Sequence, residues 1–260
     1  MDNNVPCVLI IGGLDPSGGA GLPADARAVS AFGAHPCGIT TAIIAQNTRG
    51  VAKVEPVSPV MLAAQLDNLL EDIAPRAVKI GMLPNTAAAE VVAQRVLQLR
   101  DVPLIVDTVF APSSGPRFAA DETIRYIAEY LLPLADVVTP NIAEAEQLIG
   151  APITDLSTMI TASQLIHERY GARYVLLKGG HLPTNAVDVL FDGQHIVELR
   201  ASRVTGYEVR GTGCLLASAI AAQRAHGIPV IEAAQRAKVW LTQQIQNAKT
   251  IGGGRRVATL

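Results

Sequence analysis

Residues 210–214 read Arg-Gly-Thr-Gly-Cys and open directly onto an apolar run, Leu-Leu-Ala-Ser-Ala-Ile-Ala-Ala. Two glycines flanking a threonine at the start of a helix leave backbone N–H groups free and set the positive end of the helix dipole at one point. Gly211, Thr212 and Gly213 therefore suit an oxyanion or a transferring phosphoryl group, held without a cationic side chain. Cys214 falls on the first turn beside that group. The dipole predicts a thiol pKa below the roughly 8.5 of free cysteine, a bound polyphosphate acting in the opposite sense. Such a thiol could take the proton of an attacking hydroxyl. The competing reading is a buried cysteine filling a small gap under the helix.

Five further segments share this polar, glycine-rich character: GGLDPSGGAG, AQNTRG, DTVFAPSSG, TPNIAE and KGGH. Each follows a short apolar run: CVLIIGG (7–13), GITTAII (38–44), PLIVDTV (103–109), DVVTPN (136–141) or YVLLKGG (174–180). With AVKIGM (77–82) these runs read as strands, each followed by a segment of helical period. The alternation predicts a mainly parallel sheet with helices on both faces, and ligands in such sheets gather where the carboxyl ends of the strands meet their loops. The stretch 187–204 alternates apolar and polar residues, turns at Asp192-Gly193 and alternates again, which predicts an antiparallel hairpin at the edge of the sheet. Two helices, 213–226 and 229–249, flank Gly227-Ile228-Pro229. No linker or composition shift divides residues 1–260, so one α/β domain is expected.

Composition narrows the function classes. At 49% hydrophobic and a formal net charge of −2 the chain carries no basic excess that would mark a nucleic-acid partner. No apolar run approaches the roughly 20 residues of a membrane span, and the amino terminus carries no basic leader, so the cytoplasm is the expected compartment. Cys7, Cys37 and Cys214 have neither disulfide-framework nor zinc spacing. The P-loop pattern G-x-x-x-x-G-K-[ST] is absent. A dinucleotide fingerprint fits the Gly19–Ala24 stretch only loosely, which leaves hydride transfer a weak alternative.

Taken together, GLDPSGGAGLPAD (13–25), TTAIIAQNTRGV (40–51), VKIGML (78–83), VDTV (106–109), TPNIAEAEQLIG (139–150), LLKGGH (176–181) and RGTGC (210–214) resemble the hydroxymethylpyrimidine/phosphomethylpyrimidine kinases of thiamine biosynthesis. The resemblance implies a ribokinase-like three-layer α/β/α sandwich, with a central mainly parallel sheet and the hairpin at its edge. It implies ATP- and Mg2+-dependent phosphorylation of 4-amino-5-hydroxymethyl-2-methylpyrimidine and then of its monophosphate, and a homodimer. By the same resemblance Gln46 bonds the aminopyrimidine edge, whose donor and acceptor a carboxamide matches; capping of loop backbone is its plainer role. Gly13, Ala20, Ile44, Met82 and Val109 match positions lining the pyrimidine pocket, although a methionine after a strand is commonly just core. Asp25 matches an aspartate near the substrate, or caps the helix that follows.

Asn141 and Glu144 match an N-x-x-E pair that organises magnesium and the phosphates, a role a hard carboxylate suits; equally, they spell a helix capping box. Asp107, ending a buried strand, is expected near the metal or a cation, because an unpaired buried carboxylate is costly. Lys178 would stand by the nucleotide phosphates as a point charge. The chain departs from the family pattern at Arg210 (usually histidine), Ser113 (usually lysine), Pro23 (usually glutamine) and its GGGRRVATL end. These departures leave room for a pyridoxal kinase of the same fold, and suggest Arg210, Arg255 or Arg256 as substitute cations. A non-catalytic pyrimidine-binding paralogue is the reading outside catalysis, against which the joint presence of Asp107, Asn141, Glu144, Lys178 and GTGC weighs.

Overall fold

Parallel strands covered on both faces read as unbroken apolar runs, and the first strand shows it: in β1 (Cys7–Leu14) the six residues from Val8 to Gly13 are all buried. The computed structural model describes residues 5–111, 117–180 and 186–259. After β1 come α1 (Gly21–Ala31), β2 (His35–Gln46), β3 (Val51–Pro56), α2 (Pro59–Asp72), β4 (Ala77–Ile80), α3 (Thr86–Val96) and β5 (Leu104–Val106). Then follow α4 (Asp121–Tyr126), which runs on through a wide and a tight turn to Leu134, β6 (Val137–Val138), α5 (Ile142–Ile149), α6 (Leu156–Tyr170) and β7 (Tyr174–Leu177). The chain ends with β8 (Ala186–Phe191), β9 (Ile196–Ala201), β10 (Val209–Arg210), α7 (Thr212–Ala225), α8 (Val230–Gln246) and β11 (Arg256–Val257).

Nine strands form one sheet in the order β3-β2-β1-β4-β5-β6-β7-β8-β9. The six from β2 to β7 run parallel, β3 is antiparallel at one edge, and the hairpin β8–β9 is antiparallel at the other. The hairpin is where the alternation and Asp192-Gly193 place it; Asp192 Oδ1 accepts the N–H groups of Gln194 and His195 across the turn. Strand alternation splits the core in two. Leu9, Ile11, Val78, Ile80, Leu104 and Val106 pack against α2 to α6. Val8, Ile10, Ala77 and Ile105 face the opposite layer of α1, α7 and α8.

Three strands, β3, β10 and β11, lie outside the sequence reading. β3 is the mostly exposed edge partner of β2. The carboxyl-terminal GGGRRVATL segment contributes β11, which pairs with β10 directly before Gly211.

Candidate active site

The loop after β1 is folded by a side chain the sequence reading passed over. Asp15 is fully buried; its Oδ1 accepts the N–H and the hydroxyl of Ser17 at 2.8 and 2.7 Å, and its Oδ2 accepts the Ala20 N–H at 2.9 Å. This draws Gly19 and Ala20 beneath the head of α7. Gly211, the residue before α7, has φ +69°, and any Cβ there would overlap the Gly19 carbonyl oxygen. Only glycine fits both the backbone and the space. Gly213 extends the contact to the other side: a Cβ on it would lie 3.2 Å from Lys178 Nζ and 3.7 Å from Asp107 Oδ2. The amide-rich head of α7 thus sits against a fixed cation.

Lys178 donates to Asp107 Oδ1 at 2.8 Å, and Thr139 Oγ donates to the same oxygen at 2.9 Å. Asp107 is 3% exposed. Burial acts to raise its pKa, but Lys178, Lys79 and these hydrogen bonds prevail and hold it below the ordinary carboxylate range. Burial opposes the charge on Lys178 too, and Asp107 and Glu144 more than offset it, so the ammonium titrates above its usual range. Asn141 and Glu144 do form the capping box at the start of α5: Asn141 Oδ1 accepts the Glu144 N–H at 3.0 Å, and Glu144 Oε2 accepts the Asn141 N–H at 2.8 Å. Thr108 Oγ donates to the same Oε2 at 3.0 Å. Burial, opposed by Lys178 and assisted by Asp107, pushes the Glu144 carboxyl up to about 7. The structural and the phosphate-organising readings of this pair are therefore compatible.

The apolar half of the rim gathers where the sequence places it. Ile44 and Met82 are buried with Ala42, and Val109, Val51, Val54 and Phe118 pack on them. A Cβ on Gly13 would lie 2.6 Å from Ile44 Cδ1 and 3.2 Å from Met82 Sδ, so the glycine keeps that wall flat. Gln46 is half-buried at the end of β2, opposite Val51. The carboxyl-terminal segment holds this turn in place: Gly254 N–H donates to Thr48 Oγ at 3.2 Å and Arg255 N–H to the Thr48 carbonyl at 2.9 Å.

Three expectations need correction. Asp25 neither caps α1, whose N-cap is Ala20, nor opens onto the rim. It is fully buried, and both its oxygens accept from Lys79 Nζ at 2.9 Å, with Ser218 Oγ donating to Oδ1 at 2.8 Å. The thiol of Cys214 is not lowered by the helix dipole. Burial pushes it up to about 12; Asp25 and Asp107 add to the rise, while Lys79 and the Gly21 N–H oppose it. Arg255 pairs with Glu208 at 2.5 Å, and Arg256 lies 3.8 Å over the Tyr207 ring, so neither is a spare cation at the rim. Arg210 is placed differently. Its side chain is 10% exposed, 3.8 Å from Asp15 Oδ2, and its Nε has no hydrogen-bond partner among the described residues. Ser113 lies outside the described residues.

Lys79 is the functional-looking residue that the sequence reading missed, although its signal was visible: a lysine at the centre of Ala-Val-Lys-Ile, a strand buried at all four positions. A hollow lined by Pro6, Arg76, Asp101, Arg224 and His226 opens elsewhere and includes none of these groups.

A family model described as phosphomethylpyrimidine kinase matches residues 15–258. The hydroxymethylpyrimidine/phosphomethylpyrimidine kinase of Rhizobium meliloti is 42% identical over 251 residues, covering 95% of this chain and 94% of that protein. The thiamine biosynthesis bifunctional protein ThiED of Geobacter sulfurreducens is 41% identical over 95% of this chain. The chain spans about half the length of such bifunctional relatives, 50% of the Geobacter protein and 48% of one from Arabidopsis thaliana. Among solved structures, a phosphomethylpyrimidine kinase from Clostridium difficile superposes with a TM-score of 0.81 at 35% identity, over 92% of this chain and 99% of that one. An ADP complex of Bacillus subtilis pyridoxal kinase superposes with a TM-score of 0.91 at 30% identity, over 98% and 97%. With the matched segment running from the Asp15 loop through the head of α7 to β11, the chain belongs to the phosphomethylpyrimidine kinase family.

Proposed function

We propose that the chain transfers the γ-phosphoryl group of ATP to 4-amino-5-hydroxymethyl-2-methylpyrimidine and then to its monophosphate, yielding the diphosphate. The observation that carries this reading is the Asp107–Lys178 pair lying against Gly213 at the head of α7, on the rim that also holds the Gly13–Ile44–Met82 wall. The pyrimidine lies along that wall, with Ala20 and Val109 beside it and Gln46 on its amino edge. The amides at Gly211, Thr212 and Gly213 receive the phosphoryl group as charge builds on it, and Lys178 holds the nucleotide phosphates.

The acidic residues suit a hydrated magnesium ion. Among the described residues both hydrogen bonds to Asp107 fall on Oδ1 and both to Glu144 on Oε2, which leaves Asp107 Oδ2 and Glu144 Oε1 for a cation or its water. When bound, magnesium neutralises charge on the phosphates. Cys214, whose thiol is pushed up to about 12 and so keeps its own proton, orients the hydroxyl rather than deprotonating it; as the O–P bond to the acceptor forms and the bond to the β-phosphate breaks, the hydroxyl proton passes late to an oxygen of the transferring phosphoryl group. Asp25 acts from beneath rather than by touching substrate. The working protein is a cytoplasmic homodimer, which sedimentation would check; no helix among the described residues is long and apolar enough to cross a membrane.

A coupled ADP-release assay with the hydroxymethylpyrimidine, its monophosphate and pyridoxal tests the assignment. Turnover of both pyrimidines, with kcat/KM at least about tenfold above pyridoxal, supports it; preference for pyridoxal would move the assignment to vitamin B6. Binding without turnover would make the chain a non-catalytic paralogue. Cys214→Ala is expected to lower kcat about 100-fold through misplacement of the hydroxyl, while Cys7→Ala and Cys37→Ala keep wild-type rates. Arg210→Ala is expected to raise KM for the monophosphate while leaving the unphosphorylated alcohol unchanged; equal effects on both would remove Arg210 from recognition of the acceptor phosphate.

A further inference from the structure

A lysine that is 1% exposed in the middle of a parallel strand is an expensive residue to fold around, and the proposed chemistry leaves it without a role. Strand alternation points Lys79 away from α2 and α3 and toward the layer of α1 and α7, as it does its neighbours Ile10 and Ile105 in the register. The side chain turns toward the carboxyl ends of the strands, where a Cβ on Gly81 would lie 2.8 Å from Nζ. There it meets Asp25 of α1 through two bonds of 2.9 Å, and Asp25 in turn takes the Ser218 hydroxyl of α7. Ser218 stands four residues after Cys214, one turn along the same face of α7. One salt bridge and one hydrogen bond thus join β4, α1 and α7 directly below the amide-rich turn.

We infer that Lys79 is a positioning residue: clamped to Asp25, and through it to Ser218, it sets the roll and depth of the first turns of α7, and with them the place of Cys214 and the Gly213 amide. This rests on the kinase reading of the same site. From Leu215 to Ala222 the buried face of α7 is alanine, leucine and isoleucine apart from Ser218, and its other polar ties, Gln223 to the Ala233 carbonyl and Arg224 to Asp136, lie at the far end, so without Ser218 the head could slide or roll by a fraction of an ångström at little expense. A charged bond at its second turn resists that. Lys79 also faces the thiol electrostatically, together with Asp25, Asp107 and the Gly21 N–H, and it shares that role with Lys178, the other cation that feels the sulfur. Misplacement of catalytic groups by about 1 Å is enough to lose roughly 100-fold in rate, so the clamp should act on kcat more than on binding.

The test compares Lys79→Met, which leaves Asp25 as a buried unpaired acid, with Lys79→Met/Asp25→Asn, which removes both charges while keeping an acceptor for Ser218. The single variant is expected to melt well below wild type, and the double to recover most of that loss, because joint neutral replacement of a buried pair is tolerated. In the folded double variant kcat should stay at least about 30-fold down, with KM for ATP and for the alcohol within about threefold of wild type. Recovery of kcat together with thermal stability would overturn the inference and leave the pair purely structural.

A second readout needs no turnover: iodoacetamide labelling of Cys214 between pH 8 and 10, followed by peptide mass. Loss of the neighbouring cation should slow labelling at least about threefold in Lys79→Met, with the double variant between the two. Equal rates in all three proteins would overturn the inference. Absence of pyrimidine turnover in the wild type would instead defeat the functional reading, and the labelling comparison would then decide the clamp by itself.

Discussion

The two halves of the rim are built on opposite principles. The wall formed by Gly13, Ile44, Met82 and Val109 carries no charge; it is a shape, made by leaving out a side chain at Gly13 and filling the space behind it. The other half concentrates Asp107, Lys178 and Glu144, with the Asp25–Lys79 pair beneath them, all buried or nearly so and held by opposite charges. A shape accepts any flat ring of the right thickness. A preassembled array of charges, by contrast, is selective for the charge it meets; on the proposed reading that is the transferring phosphoryl group, and the array spares the reaction the work of reorienting dipoles. The chain superposes on both a phosphomethylpyrimidine kinase and a pyridoxal kinase, so one fold accompanies different rings. Substitutions in the charged half should therefore appear in kcat, and substitutions in the apolar half in KM.

The charged half offers the largest effect. Lys178→Met removes the cation that Gly213 and Asp107 both face, and should lower kcat by at least about 100-fold, as loss of one preorganised electrostatic partner does. If KM for the pyrimidine rises instead while kcat holds, the division between the halves is broken. Circular dichroism before and after would show that the fold persists, since Asp107 keeps Thr139 and the nearby Lys79.

Glu144→Gln sharpens the same point by separating stability from activity. The carboxyl is pushed from its ordinary 4.5 up to about 7, so between those values the folded chain binds more protons than the unfolded one. Stability linked to this group is therefore present below about pH 4.5 and is lost as pH rises toward 7. Glutamine resembles the protonated acid and preserves the capping box. The variant should exceed wild type by less than about 1 kcal/mol near pH 5 and by up to about 3 kcal/mol at pH 8 from the linkage relation, in urea melts at the two pH values. Its kinase rate should fall at both. A variant less stable than wild type at pH 8 would mean that the ionised acid is well accommodated without a cation.

What the amino-acid order revealed, and what it hid, divides along lines of locality. The buried parallel strands were legible because burial on two faces leaves an apolar run. β3 was not, because an exposed edge strand carrying Lys53, Glu55 and Pro56 has no reason to look apolar. β11 spans two residues, too few for any period to show. The head of α7 was legible because Gly-Thr-Gly-Cys is a local arrangement, and so was the Asn141–Glu144 box. The pairing of Lys79 with Asp25 joins residues 54 apart in the chain, and no spacing rule connects them. The thiol pKa failed for the same reason: the dipole is a local property, while burial and the two carboxylates that outweigh it arrive only with the tertiary fold.

The apolar half should yield a smaller and more reversible effect. Gly13→Ala brings a Cβ to within 2.6 Å of Ile44 Cδ1, a distance that forces the isoleucine or the strand to move. No charge is disturbed, so kcat should change less than about threefold while KM for the pyrimidine rises about tenfold, the equivalent of roughly 1.4 kcal/mol. The obstructing atom is the one that Ile44→Val deletes, so Gly13→Ala/Ile44→Val should return KM to within about threefold of wild type; the remaining contact, Met82 Sδ at 3.2 Å, belongs to a side chain flexible enough to yield. Steady-state kinetics on the two variants decides the matter. A KM that stays high in the double variant would mean that Gly13 matters for its backbone rather than for the space above it, and that the wall is not simply a shape. A kcat that collapses with KM would carry the failure further, because the ring pocket would then share in placing the phosphoryl acceptor and the two halves would have to be treated as one device.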